Sequence, residues 1–299
     1  MLPDQSIIGG APFNFTYRIH SLGDNGLMIS RVGDDQLGHK ALRRIWNMGL
    51  SFDYIQNDRD HPTGTVDVYF DDKMDPDYTI NREVAYDYID YTTELEKLCE
   101  SVDCFCYGTL AQRNNRSKNT LNRLLDLLNN AICFYDINLR KDCYSKAIIE
   151  DSLVRANILK LNDSEAATLK EMLSLPVSGL PDFCKSVIDS YNLEICLVTL
   201  GDKGVLAVSR PGEICYVPGY RVDLTDPLGA GDAFSAGFIN SWLRNKKLSV
   251  ACGFGNTMGA LVATQKGATV PLKLEEIRSF VKNTFERNID ESLKEYLKY

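Results

Sequence analysis

The chain has 299 residues, of which 44% are apolar and 25% charged, and it carries a net charge of −8. This composition is typical of a soluble globular protein with one large domain or two small ones, and the acidic balance argues against a nucleic-acid partner. No apolar run approaches the length of a membrane span, and nine cysteines without paired spacing indicate reduced thiols, so we expect a cytoplasmic protein.

The first predicted element is a helix that follows a glycine turn. The letters GGAP at residues 9–12 predict a tight turn with proline in the first helical turn, and Gly23 ends the helix. Asn14 falls in the first turn, where a polar side chain is either exposed to solvent or binds a ligand beyond the helix. A strand over 27–32 and a helix over 36–48 are predicted to follow.

The pattern changes between residues 52 and about 91. Residues 63–70 alternate β-branched or aromatic residues with small or polar ones, as a half-exposed strand does. Residues 53–56 and 78–80 also predict strands. A small sheet inserted between α/β units suggests a lid over a cleft, and a plain excursion on the surface is the alternative.

Strand and helix patterns alternate through the rest of the chain. Further strands are predicted at 104–107, 132–140, 156–161, 195–200, 205–209 and 219–224, with helices at 115–130 and 251–264 and a closing helix within 272–299. Repeated strand–helix units imply a mainly parallel sheet with helices on both faces. We therefore predict an α/β fold, with one domain over residues 1–299 and a lid insertion at about 52–91.

Polar residues stand where several predicted strands end, and ligands of α/β sheets bind at that edge. Asp136, Asn138 and Arg140 follow one another at period two, which predicts that they share one face. Arg140 is suited either to neutralising phosphate charge or to forming an exposed ion pair. Asn162 followed by Glu165 is explained by helix capping alone.

Two more glycine-containing segments have ordinary structural explanations. The letters TLGDKG at 199–204 predict a hairpin turn that needs positive φ angles. Asn256 lies in a helix of small residues that is too tightly packed to be exposed. The glycines of that helix do not make a GxGxxG fingerprint, which argues against dinucleotide binding.

The stretch from Asp226 to Asp232 is the most informative. Gly229, Ala230 and Gly231 allow backbone N–H groups to converge at the start of an apolar helix, which makes an anion site. A carboxylate at such a site is well placed to accept a proton from an attacking hydroxyl. Capping of the helix is the alternative role for Asp232.

The letters DPLGAGDAF at 226–234 resemble the signature of the PfkB, or ribokinase-like, family of carbohydrate kinases. Further motifs resemble the same family along nearly the whole chain: GGAPFN, VGDDQLG, PTGTV, DINLR, NDSE and TLGDKG. The resemblance implies a ribokinase-like fold whose lid covers the sugar and often forms a homodimer contact. It also implies an ATP-dependent sugar kinase in which Asp232 is the base and the backbone of 229–231 stabilises the transferring phosphoryl group.

The resemblance assigns roles to further residues. Sugar contacts are implied for Gly10, Asn14 and Asn138, and a phosphate contact for Arg140. Contacts with ATP are implied for Asn162, Thr199, Gly201, Gly204, Gly231 and Asn256. Glu165 would order water bound to Mg²⁺, and a monovalent cation such as K⁺ would be held by Asp226 and by backbone near Leu228, Val262, Gln265 and Gly267.

The start of the chain departs from the family pattern. Family members begin with a buried strand and an Asp that binds sugar hydroxyls, whereas here Gly9-Gly10 comes almost at once. This predicts an N-terminally truncated chain with weak or absent activity, and it keeps open a non-catalytic sugar-binding relative. The motifs GGAPFN, PTGTV and DINLR most resemble fructokinases, so fructose is favoured, while ribose, 2-keto-3-deoxygluconate and nucleosides stay open.

Overall fold

The chain divides into two units, and the larger one is built on a six-stranded sheet. The computed structural model describes residues 7–70, 76–210, 212–282 and 286–298. The larger unit comprises Gly9–Gly26, Val102–Thr109 and Asn130–Tyr299, and the smaller one is drawn mainly from Leu27–Ser101 and Leu110–Asn129.

The described residues form twelve strands and ten α-helices. The strands are β1 (Ser30–Gly33), β2 (Ile55–Asp58), β3 (Val66–Phe70), β4 (Pro76–Ile80), β5 (Cys104–Tyr107), β6 (Ile132–Asp136), β7 (Ile158–Asn162), β8 (Ile195–Thr199), β9 (Val205–Ser209), β10 (Ile214–Val217), β11 (Gly219–Tyr220) and β12 (Arg287–Asn288). The helices are α1 (Ala11–Ser21), α2 (Gln36–Asn47), α3 (Thr93–Cys99), α4 (Asn115–Leu125), α5 (Lys146–Arg155), α6 (Asp163–Met172), α7 (Leu180–Tyr191), α8 (Ala230–Trp242), α9 (Leu248–Ala263) and α10 (Leu274–Lys282). None of the helices in the described ranges is long and apolar enough to cross a membrane.

The central sheet belongs to the larger unit and has the strand order β10-β9-β8-β7-β6-β5. Strands β5 to β8 are parallel, whereas β9 is antiparallel to both β8 and β10. The predicted α/β fold with a mainly parallel sheet is therefore confirmed. Because the carboxyl ends of β6, β7 and β8 share one edge, the polar residues that follow them are brought together there.

Helices cover both faces of this sheet. Ile195 and Leu197 of β8 belong to the buried cluster that α8 and α9 complete. Cys196, which lies between them, points to the opposite face and contacts Cys184 of α7. The sheet is thus buried on both sides, as expected for parallel strands that read as continuous apolar runs.

Helices α8 and α9 pack closely because small residues face large ones between them. A Cβ atom on Gly255 would lie 2.8 Å from the ring of Phe234, and one on Gly237 would lie 2.8 Å from Cγ of Met258. Phe234 and Phe238 stack one turn apart on α8. This packing holds the start of α8 in place against the sheet.

The smaller unit contains two pairs of strands. β1 and β2 are parallel, and β3 and β4 form an antiparallel hairpin. Asp35 caps α2 by accepting from the N–H of Gly38, and its carboxylate also accepts from the N–H and hydroxyl of Thr63. The VGDD and PTGTV motifs are therefore joined through one carboxylate. The lid role of this region stays a prediction.

Several element predictions were wrong in detail, among them the strand predicted over 219–224, of which only β11 forms. The strand predicted at 132–140 ends at Asp136, because Asn138 adopts a left-handed conformation with φ of 42°. The tail predicted as one closing helix forms α10, then β12 and a 3-10 turn over Glu291–Tyr296. Strand β10 was not predicted, since only four residues separate its start from the end of β9.

Candidate active site

The start of α8 is an uncapped helix N-terminus. Gly229 occupies the N-cap position with φ of 78°, and no side chain caps the helix. The first N–H groups of a helix have no acceptor within it, so those of Gly231 and Asp232 are available to an anion. Asp232 does not cap α8, because its carboxylate instead accepts a hydrogen bond from Nδ2 of Asn14 at 2.8 Å.

Asn14 presents an unsatisfied acceptor beside this carboxylate. The residue is 5% exposed, and its Oδ1 atom has no hydrogen-bond partner among the described residues. Gly10 precedes α1 with φ of 112°, and its carbonyl accepts from the N–H of Asn14 at 2.9 Å. A buried carbonyl oxygen without a donor is costly, so this atom is suited to receive a hydroxyl from a ligand.

Asp232 has the electrostatic setting of a base. Burial, and to a smaller extent the neighbouring charge of Asp136, raise the pKa of Asp232, which is about 6. The hydrogen bond from Asn14 and the positive charges of Lys160 and Arg140 act in the opposite direction. A carboxylate with a pKa near neutrality is ionised at physiological pH and is still basic enough to take a proton.

A buried ion pair lies next to the start of α8, and the sequence interpretation did not assign it a role. Nζ of Lys160 lies 3.0 Å and 3.1 Å from the two carboxylate oxygens of Asp136. The two residues stand directly opposite each other where β6 pairs with β7. Ser235, in the second turn of α8, donates to the same carboxylate at 2.9 Å. A Cβ atom on Gly231 would lie 3.3 Å from Nζ of Lys160, so this cation faces the anion site.

Lys160 remains charged in this setting. Burial lowers the pKa of the amine, but the charges of Asp136 and Glu165 raise it, with a net increase. The signal in the sequence was a single lysine within the apolar strand ILKLN. Lysine is rarely fully buried without a partner, so its position there indicated a buried carboxylate.

Glu165 joins the ends of two strands. One carboxylate oxygen accepts from the N–H of Leu139 at 2.8 Å, and the other accepts from the N–H of Asn162 at 2.8 Å. Asn162 in turn caps α6 by accepting from the N–H of Glu165, which completes a capping box. Both oxygens are therefore engaged by backbone, which fits an indirect contact with Mg²⁺ through water better than direct ligation.

Asn138 and Arg140 lie beyond the end of β6. The prediction that they share a face with Asp136 at period two was wrong, because the strand has already ended and Asn138 is left-handed. Arg140 is exposed, and its charge lowers the pKa of Asp232. Arg140 therefore acts on the same carboxylate, although strand periodicity does not bring it there.

Four of the six residues predicted to contact ATP lie near one backbone segment, whereas Asn162 begins α6 and Gly231 lies in the first turn of α8. Thr199 ends β8, and Gly204 has φ of 93° with no room for a side chain, since a Cβ atom would lie 2.2 Å from the carbonyl oxygen of Val217. Nδ2 of Asn256 donates to that same carbonyl at 3.0 Å. Gly201, with φ of 60°, begins the turn between Thr199 and Gly204.

The residues predicted to hold a monovalent cation lie around Asp226, where backbone hydrogen bonds hold the loop together. The carboxylate of Asp226 accepts from the N–H of Leu228 at 2.9 Å and from the N–H of Gly267 at 3.0 Å. The carbonyl of Val262 accepts from the N–H of Gln265 at 2.9 Å. No group of three or more His, Cys, Asp or Glu residues in the described ranges is arranged to hold a metal ion.

Gly229→Ala is expected to destabilise the protein by about 1–3 kcal/mol and to lower activity with it. The added Cβ would lie 2.4 Å from Cβ of Ala268, and φ is positive, so both packing and backbone oppose the change. Thermal unfolding measures the effect. Gly253→Ala is the matched control, because nothing lies within 4 Å of a Cβ there; equal melting temperatures for the two variants would contradict the expectation.

Comparison with known proteins agrees with the fold and the motifs. Residues 5–275 match the pfkB family of carbohydrate kinases. The chain is 28% identical to a fructokinase of Escherichia coli over 284 residues, which are 88% of each chain.

Two solved structures are similar over most of their length. A fructokinase with bound ATP from Xylella fastidiosa has a TM-score of 0.81 at 19% identity, covering 92% of this chain and 90% of its own. A double mutant of the fructokinase from Vibrio cholerae O395, bound to fructose, ADP and potassium ion, has a TM-score of 0.75 at 22% identity with the same coverage. These likenesses confirm the ribokinase-like fold, and with the family match they lead to one conclusion. The chain belongs to the pfkB family and is a carbohydrate kinase.

Proposed function

We propose that this sugar kinase transfers the γ-phosphate of ATP to a hydroxyl of fructose, with Asp232 as the general base. The observation that carries the proposal is the pair of Asp232 and Asn14 at the open N-terminus of α8. It combines a carboxylate of raised pKa, a buried acceptor without a donor and a cluster of backbone N–H groups. These are the three parts that transfer of a phosphoryl group to an alcohol needs.

The carboxylate, the buried acceptor and the backbone N–H groups each have a role in the reaction. The sugar binds with one hydroxyl against Oδ1 of Asn14 and with the reacting hydroxyl against Asp232. Asp232 takes the proton of the reacting hydroxyl as the hydroxyl oxygen attacks, and the N–H groups of Gly229, Gly231 and Asp232 stabilise the negative charge of the group in transit. The N–H of Ala230, which was predicted to take part, instead donates to the carbonyl of Pro227 at 3.2 Å. Lys160 and Arg140 add positive charge at the same place.

Nucleotide and Mg²⁺ fit this site in different ways. The α8 N-terminus, which has no side-chain cap and faces Lys160, is suited to the phosphates, and ATP supplies the phosphoryl group when bound. Glu165 would act on Mg²⁺ through water, since both of its oxygens accept from backbone. A monovalent cation at the Asp226 loop would share carboxylate oxygens that each already accept one backbone hydrogen bond.

Fructose is favoured over other sugars because a curated relative with 28% identity over 88% of the chain is a fructokinase. We also propose that the β3–β4 hairpin is part of a lid over the sugar and forms a homodimer contact.

Release of ADP with fructose, ribose, 2-keto-3-deoxygluconate and a nucleoside tests the identity of the substrate directly. Turnover highest with fructose supports the proposal, and sugar binding without ADP release would instead indicate a non-catalytic relative.

The pH profile provides a second test. Because Asp232 must be ionised to accept a proton, kcat/KM is expected to fall as the pH is lowered through about 6, the pKa of this carboxyl. Enzyme incubated at low pH and assayed at neutral pH controls for unfolding. A profile that stays flat well below this pKa would contradict the assignment of the base.

A further inference from the structure

Arg18 is a buried cation whose guanidinium donates hydrogen bonds to backbone carbonyls and also lies 5.2 Å from the centre of the Tyr17 ring. The side chain lies on α1 and is 1% exposed. Its guanidinium donates to the carbonyl of Ala268 at 2.8 Å and to the carbonyl of Val270 at 3.1 Å. Nε has no hydrogen-bond partner among the described residues, and no carboxylate of those residues forms an ion pair with it. Burial lowers the pKa of Arg18, as expected for a charge without a counter-ion.

A buried charge without a counter-ion is expensive unless the surrounding dipoles are arranged to receive it. Here the two carbonyls belong to the loop that follows α9, and both point at the guanidinium. Convergent backbone carbonyls are also how proteins bind a cation such as K⁺. The loop and Arg18 are therefore arranged like a cation and its ligands, with the cation supplied by the chain.

The same loop supports the start of α8. The Cα atom of Ala268 lies 2.9 Å from where a Cβ on Gly229 would stand, so the loop packs directly against the N-cap residue. The preceding residue, Gly267, donates to Asp226. One turn before Arg18 on α1, Asn14 contacts Asp232. Helix α1 thus fixes both the base and the loop beneath the anion site.

We infer that Arg18 takes the place of an activating monovalent cation and acts as a positioning residue for the anion site at 229–231. The site therefore needs no K⁺ to be formed. The inference rests on the proposed function only for the identity of the site, since the contacts of Arg18 are independent of the substrate.

The test compares K⁺ with choline at equal ionic strength, first in the wild-type protein without substrate. Binding of an ion to the folded state raises the melting temperature, so a specific K⁺ site would appear as a higher value in KCl. The expected result is the same melting temperature in both salts, and the same kcat. A K⁺-specific rise in melting temperature would overturn the inference, and it would do so whether or not fructose is the substrate.

Arg18→Met removes the charge and leaves the carbonyls of Ala268 and Val270 without donors. In this variant K⁺ is expected to raise the melting temperature above its value in choline and to increase kcat by about five- to tenfold. Arg18→Lys retains a cation and is expected to remain indifferent to K⁺. If Arg18→Met does not fold, the measurements on the wild-type protein and on Arg18→Lys still test the inference.

Arg244→Met is the matched control, because Arg244 pairs with Asp24 near the surface and contacts neither carbonyl of the loop. Its stability is expected to be the same in both salts. A folded Arg18→Met variant with no K⁺-specific response, or a K⁺ response of equal size in Arg244→Met, would overturn the inference.

Discussion

Asp232→Asn is expected to lower kcat by about 10²- to 10⁴-fold, the range that removal of a general base usually costs. Asparagine has nearly the same shape and can still accept from Nδ2 of Asn14, so the contact at 2.8 Å is retained. The affinity for the sugar is therefore expected to change little. ADP release measures turnover, and calorimetric titration with fructose measures binding.

The same substitution is expected to raise the melting temperature near neutral pH. Burial raises the pKa of Asp232 above its ordinary value, so the folded state binds the proton more tightly than the unfolded state does. Stability is then lost as the pH rises through about 6, and asparagine, which cannot ionise, avoids this loss. A gain in stability with a loss of turnover would separate catalysis from folding.

Asp189→Asn is the matched control, since Asp189 is an exposed residue of α7. It is expected to retain wild-type turnover and stability. Wild-type turnover in Asp232→Asn would exclude this carboxylate as the base, and weaker sugar binding with an unchanged kcat would assign it to binding alone.

The parts of the site that follow from local sequence were predictable. The segment from Gly229 to Asp232 consists of a glycine turn and the start of an apolar helix, and a few residues of sequence are enough to predict both. The parallel strands β5 to β8 of the central sheet were identified because buried parallel strands are continuous apolar runs. Backbone conformation at single residues was less accessible, as Asn138 shows: nothing in the alternation of DINLR reveals a left-handed residue.

The parts that depend on pairing between distant segments were not predictable. Lys160 meets Asp136 only because β6 and β7 pair in a particular register, and a shift of one residue would separate them. Arg18 and Ala268 are 250 residues apart, and their contact depends on how α1 packs against α8. Lys160 and Arg18 are each a charged residue within a largely apolar segment, which indicates a buried charge but does not identify the residue that contacts it.

Lys160→Met is expected to destabilise the protein by about 3–5 kcal/mol, because it leaves the carboxylate of Asp136 buried without its cation. The double variant Asp136→Asn/Lys160→Met removes both charges and is expected to recover much of this loss. Denaturant unfolding of the two single variants and the double variant measures the coupling. Additive losses would mean that the contacts at 3.0 Å and 3.1 Å contribute no interaction free energy.

The catalytic role of the ion pair is tested by the acid limb of the kcat/KM profile, which a purely structural role would not move. Lys160 lowers the pKa of Asp232 and Asp136 raises it, so the two single substitutions are expected to shift the limb in opposite directions. Asp136→Asn moves it to lower pH, and Lys160→Met moves it to higher pH. Lys160→Arg keeps the charge and should leave the limb near its wild-type position. A shift of the same sign in both single variants would contradict this account, because general loosening of the site, unlike electrostatic tuning, does not depend on the sign of the charge removed.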